Sequence, residues 1–243
     1  MRLLMMNFQI FLFDMASYGI ITISYKRPAV LRLFLAGIKR LRTEVEYFPC
    51  VIVGDAEHKS YCTEYDVSHI TQDNHPASRK WNTGAEHMIA WGLDYVVVVG
   101  SDDILSNELL RNLISAMDKG IDLIGVDTVH FYSAEGKTKG QLRKLTAPKQ
   151  ILGVCRTISR KVIEKTGTLW TRDRSWGMDG DCLRNIMPHV KSKMIVEGMV
   201  TDCKTRESLN HFSFWQGRDL ASVPPEKFYE YLSTEEKQIL KEI

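Results

Sequence analysis

An excess of either charge is the first thing this sequence lacks. Its 32 Lys and Arg stand against 30 Asp and Glu, a formal net charge of +2, so no global basic field marks a nucleic-acid binder. Paired cysteines are missing too: residues 50, 62, 155, 182 and 203 are odd in number, scattered and never in CxxC spacing. That argues against a disulfide framework and for a reduced, cytoplasmic setting. A zinc site drawn from Cys182, His189, Cys203 and His211 would match no usual ligand spacing. A spanning apolar run is absent as well. The most apolar stretch, "MRLLMMNFQIFLFDM" (1–15), is broken by Asn7, Gln9 and Asp14, too short and interrupted for a transmembrane segment, and no small-residue cleavage site follows it. It reads as an N-terminal extension, whether an over-extended gene start, a disordered tag, an apolar arm packed on the domain or a partner, or a membrane anchor. No internal repeat is visible.

What is present is an ordinary globular composition, 44% hydrophobic and 26% charged over 243 residues, enough for one full core. Strand and helix periodicities alternate. "YGIITISYKRP" (18–28) is a β-rich run stopped by Pro28, which then opens a helix carrying Leu31, Phe34, Leu35, Ile38 and Leu41. "YFPCVIVGD" (47–55) is a second strand, 78–92 a helix closed by Gly92, and "LDYVVVVGSDD" (93–103) a buried strand. A helix over 106–120 starts at Ser106 and ends at Gly120, 121–132 is another strand, and 151–170 pairs a strand with a short helix between Ser159 and Gly167. This alternation implies crossovers and an α/β fold with a mainly parallel central sheet flanked by helices. The basic stretch "KTKGQLRKLTAPK" (137–149) reads as a mobile loop, either solvated or facing a diphosphate or an acidic acceptor. Residues 224–243 read as a helical tail, with a capping box from Ser233 to Glu236 and the possibility of an oligomer contact.

In open sheets of this kind ligands bind beyond the carboxyl ends of the strands. Asp55 and the Asp102–Asp103 pair stand at such ends, so they belong to one rim. Two hard carboxylates on a rigid strand end suit Mg²⁺ or Mn²⁺ with a substrate diphosphate; the plainer alternative is that they favour the start of the helix at Ser106. Asp55 is an acceptor that the N3–H of uracil or the N–H edge of guanine would satisfy, or simply a turn residue after a strand. Farther on, "RSWGMDGDCLRNI" (174–186) leads a Trp- and Gly-rich loop into a helix bearing Asp179 and Asp181, either of which could face the metal across a cleft. Trp170, Trp176, Phe212, Phe214 and Trp215 are either a stacking wall for a sugar ring or core.

The order of these elements resembles a family-2-type glycosyltransferase with the GT-A fold. The likeness rests on "YKRP" (25–28), "VIVGD" ending at Asp55, "KWNTG" (80–84), "GSDD" (100–103), Ser159-Arg160 with Gly167, and Met178–Asp179, and covers about residues 18 to 187. It implies a GT-A domain over 16–223, with a nucleotide-binding half to about residue 120 and an acceptor half from about 121. The segments matching the family's donor-binding motifs contribute Tyr25, Arg27, Asp55, Lys80, Asn82, Ser101 and Asp102 as nucleotide-binding candidates. The resemblance further implies a divalent ion held by Asp102 and Asp103, a histidine ligand from the C-terminal region at His211, and Asp179 as the base that deprotonates an acceptor hydroxyl. Two positions depart from the family pattern: Gly100 replaces the first acid of its DxD motif, and Met178 replaces the glutamate before the base.

The expectation is therefore a metal-dependent, inverting transferase that moves a sugar from a nucleotide-sugar, a UDP-sugar above others, to a hydroxyl on a glycan, a lipid-linked sugar, a protein or a base in nucleic acid. Two alternatives stand beside it. One is a binding protein of the same fold with impaired catalysis. The other is a sugar-nucleotide nucleotidylyltransferase, although "YKRPAVL" lacks the glycine-rich, arginine-containing loop usual after the first strand of that class.

Overall fold

The computed structural model describes residues 15–208 and 220–243. His211, Phe212, Phe214 and Trp215 therefore lie outside the described residues, as does nearly all of the apolar N-terminal stretch. Among the described residues twelve strands form two sheets: β1 (Tyr18–Ile23), β2 (Cys50–Gly54), β3 (Ser68–Thr71), β4 (Tyr95–Val98), β5 (Asp103–Leu105), β6 (Leu123–Gly125), β7 (Thr128–Ser133), β8 (Leu142–Thr146), β9 (Arg156–Ser159), β10 (Lys193–Ile195), β11 (Val200–Lys204) and β12 (Ala221–Val223). The helices are α1 (Pro28–Glu44), α2 (Lys59–Glu64), α3 (Ala77–Ala90), α4 (Asn107–Asp118), α5 (Arg160–Thr166), α6 (Met178–Ile186), α7 (Glu226–Tyr229) and α8 (Thr234–Glu242).

The larger sheet runs in the order β10-β6-β9-β4-β1-β2-β3 and is parallel except for β9. The valine run makes β4 the middle strand of these seven. Alternate residues of the central strands serve two different cores, because side chains leave a strand on opposite faces. Ile20, Ile52 and Val97 pack with α1 and α4, whereas Ile21, Val51, Val53, Val96 and Val98 pack with α3, α5 and α6. Burial on both faces explains an uninterrupted apolar run where an exposed sheet would alternate.

A second sheet, β12-β8-β7-β11-β5, was not expected. The stretch 121–132, read as one strand, is two: β6 joins the large sheet and β7 the small one. The basic segment read as a loop contains β8, which pairs antiparallel with β7 and β12. The C-terminal helices pack back onto the body. Ser233 caps α8 in a reciprocal box with Glu236, whose carboxylate also forms a fully buried pair with Arg40 of α1 at 2.8 Å. All five cysteines are free and buried, with Cys182 and Cys203 in different cores.

Candidate functional site

The carboxyl end of β1 leads into a turn with two successive side-chain-bearing residues at positive φ. Lys26 and Arg27 both adopt left-handed backbone conformations, each with φ of 52°, which costs a side-chain-bearing residue about 1–3 kcal/mol. Two acids hold the turn. Asp55, just after β2, accepts the Lys26 backbone N–H through Oδ2 at 3.1 Å. Asp102, beyond β4, accepts the Arg27 guanidinium through Oδ2 at 2.9 Å. The sheet thus joins its neighbouring strand ends through one short loop.

Beneath that loop lies Lys80 of α3, wholly buried rather than solvated. Its Nζ donates to the Ser24 carbonyl at 2.7 Å and to Asn74 at 3.1 Å, and stands 3.9 Å from Asp55 Oδ1. Burial lowers its pKa, opposed by Asp55 and Asp73. His58, also fully buried, meets Ser24 Oγ through Nδ1 at 2.8 Å. Burial lowers its pKa too, so the neutral ring is favoured. Asn82, two residues on in the same helix and so turned to a different face, is engaged elsewhere: its amide clamps the Trp170 backbone, donating to the carbonyl at 2.9 Å and accepting the N–H at 3.0 Å.

A cleft of about 440 Å³ opens above this floor. It is lined among others by Tyr25, Arg27, Ser101, Trp176 and Met178. Trp176 is 65% exposed, an aromatic face available for stacking. Trp170, by contrast, is core, stacked on Trp81 with ring centroids 5.6 Å apart. Asp179 follows Met178 at the start of α6. Its carboxylate rests against Gly153, where an added Cβ would lie 2.1 Å from Cγ, and Arg156 donates to its backbone carbonyl at 3.0 Å. Asp181 is committed to structure: it is buried and accepts the backbone N–H groups of Thr171 and Arg172.

The acidic end of β4 contains more than the sequence suggested. Asp103 begins β5 and lies directly across the antiparallel ladder from Asp202 of β11. One carboxylate oxygen from each of Asp102, Asp103 and Asp202 lies within 4.8 Å of the others. Asp202 carried no local signal; it became visible only when β5 and β11 paired. Its Oδ2 meets Lys204 Nζ at 2.5 Å, while Oδ1 is buried and has no hydrogen-bond partner among the described residues.

Gly100 explains how three acids fit. A Cβ there would lie 2.7 Å from Asp103 Oδ2 and 3.0 Å from Asp102 Oδ1, closer than ordinary packing permits. Instead the Gly100 N–H donates to Asp103 Oδ2 at 2.8 Å. The space a side chain would take at position 100 is filled by the two carboxylates that follow it.

Electrostatics follow from that crowding. Burial, then the Asp202 and Asp102 charges, push the Asp103 carboxyl well above the usual range. Burial raises Asp202 to about 6 despite Lys204. Asp102 is held below its ordinary value because Arg27 and Lys204 outweigh its burial. Hard oxygen donors, one of them unpartnered, form a set suited to Mg²⁺ or Mn²⁺, so these residues fit a divalent cation.

No protein-family model matches the chain, and no curated protein matches it by sequence. Solved structures do match in fold. S. aureus TarS 1–349 in complex with UDP-GlcNAc shares a TM-score of 0.60 at 15% identity, over 93% of this chain and 71% of that one. The mannosyltransferase PcManGT from Pyrobaculum calidifontis, in complex with GDP-Man and Mn²⁺, gives 0.53 at 12% identity, over 92% and 71%. The bifunctional IspDF from Campylobacter jejuni gives 0.50 at 16%, over 84% and 55%. At these identities the likeness is one of fold: a GT-A-type arrangement shared by glycosyltransferases and nucleotidyltransferases. Among the described residues, no helix is long and apolar enough to cross a membrane.

Proposed function

We propose that the chain is a metal-dependent, inverting glycosyltransferase of the family-2 type, with a UDP-sugar as the favoured donor and a hydroxyl group as acceptor. The observation that carries this reading is the loop Tyr25–Arg27, pinned by Asp55 on one side and Asp102 on the other while lining the cleft. A nucleotide lying along that loop would have its base near Asp55 and its diphosphate near Asp102.

Asp55 accepts the N3–H of uracil through Oδ1, which bears no backbone bond and is steadied by Lys80. Tyr25 and Trp176 offer rings to base, ribose or sugar, and Ser101 a hydroxyl to the donor. Arg27 supplies guanidinium N–H groups to the phosphates. Asp102, Asp103 and Asp202 would hold the cation, with His211 as the further ligand expected from the C-terminal region. When bound, the ion supplies Lewis-acid stabilisation to the leaving diphosphate.

Asp179 takes the proton of the acceptor hydroxyl as that oxygen attacks the anomeric carbon. Attack on the face opposite the diphosphate inverts the centre. The packing of Asp179 on Gly153 keeps the carboxylate in place. A cytoplasmic setting fits the reduced, buried cysteines.

Nucleotidyl transfer is the second reading, favoured by the fold likeness to IspDF. It is disfavoured by the loop after β1, where Tyr-Lys-Arg-Pro stands in place of a glycine-rich loop. Incubation with UDP-, dTDP- and GDP-sugars plus Mn²⁺, following nucleotide release, separates the readings. Release of UDP that is abolished by chelator or by Asp102→Asn supports the glycosyltransferase. Tight UDP binding with no turnover on any acceptor would point to a binding protein, and pyrophosphate release from a nucleoside triphosphate and a sugar phosphate to nucleotidyl transfer.

A further inference from the structure

The acidic cluster already carries two cations of its own. Arg27 Nη1 sits 2.9 Å from Asp102 Oδ2, and Lys204 Nζ sits 2.5 Å from Asp202 Oδ2. Neither is a casual surface pair: the Arg27 and Asp102 side chains are each 18% exposed, and Lys204 and Asp202 are 6% and 15% exposed. Yet both pairs are under-satisfied. Asp202 Oδ1 has no hydrogen-bond partner among the described residues. Arg27 directs one nitrogen to Asp102 and to Ser208 Oγ, the latter at 3.2 Å, while the residue lines the open cleft. The partners of Lys204 are Asp202 and, more distantly, the face of Phe131, 5.7 Å from Nζ.

Three carboxylates and two fixed cations make a nearly balanced set. A bare divalent ion on the remaining carboxylate oxygens would stand beside the Lys204 ammonium and the Arg27 guanidinium, and the repulsion between these like charges is unfavourable. A nucleoside diphosphate changes this balance, because its phosphate oxygens can receive Arg27 and Lys204 as the ion takes the carboxylates. We propose that Arg27 and Lys204 are resident counter-ions exchanged onto the donor diphosphate, so that the divalent cation binds tightly only together with the nucleotide. This inference rests on the glycosyltransferase reading and assigns Lys204, which no sequence motif marked, as a diphosphate-binding residue. Linkage makes the effect reciprocal: each ligand tightens the other by the same factor.

Titration of Mn²⁺ into the full chain, followed by the electron paramagnetic resonance of the free ion, tests this with and without saturating UDP, and again with GDP. The parent should bind Mn²⁺ weakly alone and at least about tenfold more tightly with the nucleotide. Lys204→Met should bind Mn²⁺ alone more tightly than the parent and show a several-fold smaller gain from nucleotide. Lys204→Arg, which keeps the charge, should retain the gain, and Arg27→Met should move in the direction of Lys204→Met. Equal Mn²⁺ affinity of the parent with and without bound nucleotide would overturn the inference. So would a folded Lys204→Met or Arg27→Met variant whose affinity for Mn²⁺ alone is unchanged or reduced. If neither UDP nor GDP binds, it is the donor reading itself that fails, and the counter-ion role with it.

Discussion

Asp202 stands opposite Asp103 across the β5–β11 ladder, and this single register brings a third carboxylate to the end of the valine strand. The residue lies almost exactly a hundred positions from its partners in sequence, yet its carboxylate oxygen is within 4.8 Å of theirs. If the cluster holds a cation, Asp202→Asn should lower Mn²⁺ affinity in the presence of UDP by at least about tenfold, the lower end of what loss of even an outer-shell partner costs. Calorimetry reads this directly; an unchanged dissociation constant would remove Asp202 from the site.

Gly100 has a complementary role. Because a Cβ there would meet Asp103 Oδ2 at 2.7 Å, Gly100→Ala should destabilise the fold by about 1–3 kcal/mol, the usual scale of overpacking. Gly100→Asp, which adds a carboxylate at the very place the two neighbouring acids fill, should weaken rather than strengthen metal binding. Thermal denaturation and Mn²⁺ titration of the two variants check both statements. A Gly100→Asp protein that binds Mn²⁺ more tightly than the parent would show that the three-acid arrangement is not what the site uses.

For the nucleobase, Asp55→Ala should weaken UDP by about 1.5–3 kcal/mol, as expected for a hydrogen bond to a charged group. The substitution also strips Lys26 N–H of its acceptor and the buried Lys80 of its carboxylate, so a lower melting temperature should accompany the lost affinity. UDP affinity equal to that of the parent would place the base elsewhere.

Asp179→Asn should leave UDP affinity nearly intact and lower sugar transfer by about 10²–10⁴, the range for general-base loss. Gly153→Ala should act in the same direction, because the added methyl occupies the space of the Asp179 carboxylate. Transfer at the parental rate by Asp179→Asn would assign the proton to another group.

Acid sensitivity has a candidate that does not line the cleft. Asp122 is buried, receives Lys161 Nζ at 2.8 Å and the Lys191 and Ser192 backbone N–H groups at 2.8 and 3.2 Å. Burial raises its pKa, but the Lys161 and backbone donors more than offset this and hold the carboxyl below its ordinary value. A depressed folded-state pKa means that the stabilisation is complete above the unfolded value of about 3.9 and is lost as pH falls through the folded one. The stability advantage of the parent over Asp122→Asn should therefore be constant near neutrality and shrink below about pH 4. Denaturant melts at pH 7, 4 and 2.5 would expose the trend; a gap independent of pH would contradict it.

The large sheet was legible because its central strands are buried on both faces, and unbroken runs such as Val96–Val99 admit few other readings. Helix ends were legible through local chemistry: Ser106 accepts the Leu109 N–H, and Gly92, Gly120 and Gly167 all take positive φ. The small sheet was not legible. β5 and β12 have three residues each, and in β8 the buried Leu142 is followed by Arg143 and Lys144, so charge masks strand character on a partly exposed surface. Asp55, Asp102 and Asp103 announced themselves at strand ends. Asp202 and Lys204 did not, because an acid and a base two apart in a strand look like ordinary surface until topology buries them. Lys80, whose sequence position suits a nucleotide contact or a solvated helix face alike, is buried because the Ser24 carbonyl, Asn74 and Asp55 surround its ammonium, partners that only the fold brings together.

The most direct measurement is a crystal structure of the chain with UDP and Mn²⁺. Uracil is expected against Asp55, the diphosphate beside Arg27 and Lys204, the ion on carboxylates of Asp102, Asp103 and Asp202, and Asp179 facing the same cleft. A nucleotide bound with its base away from Asp55, or an ion seated apart from the Asp102–Asp202 cluster, would contradict it.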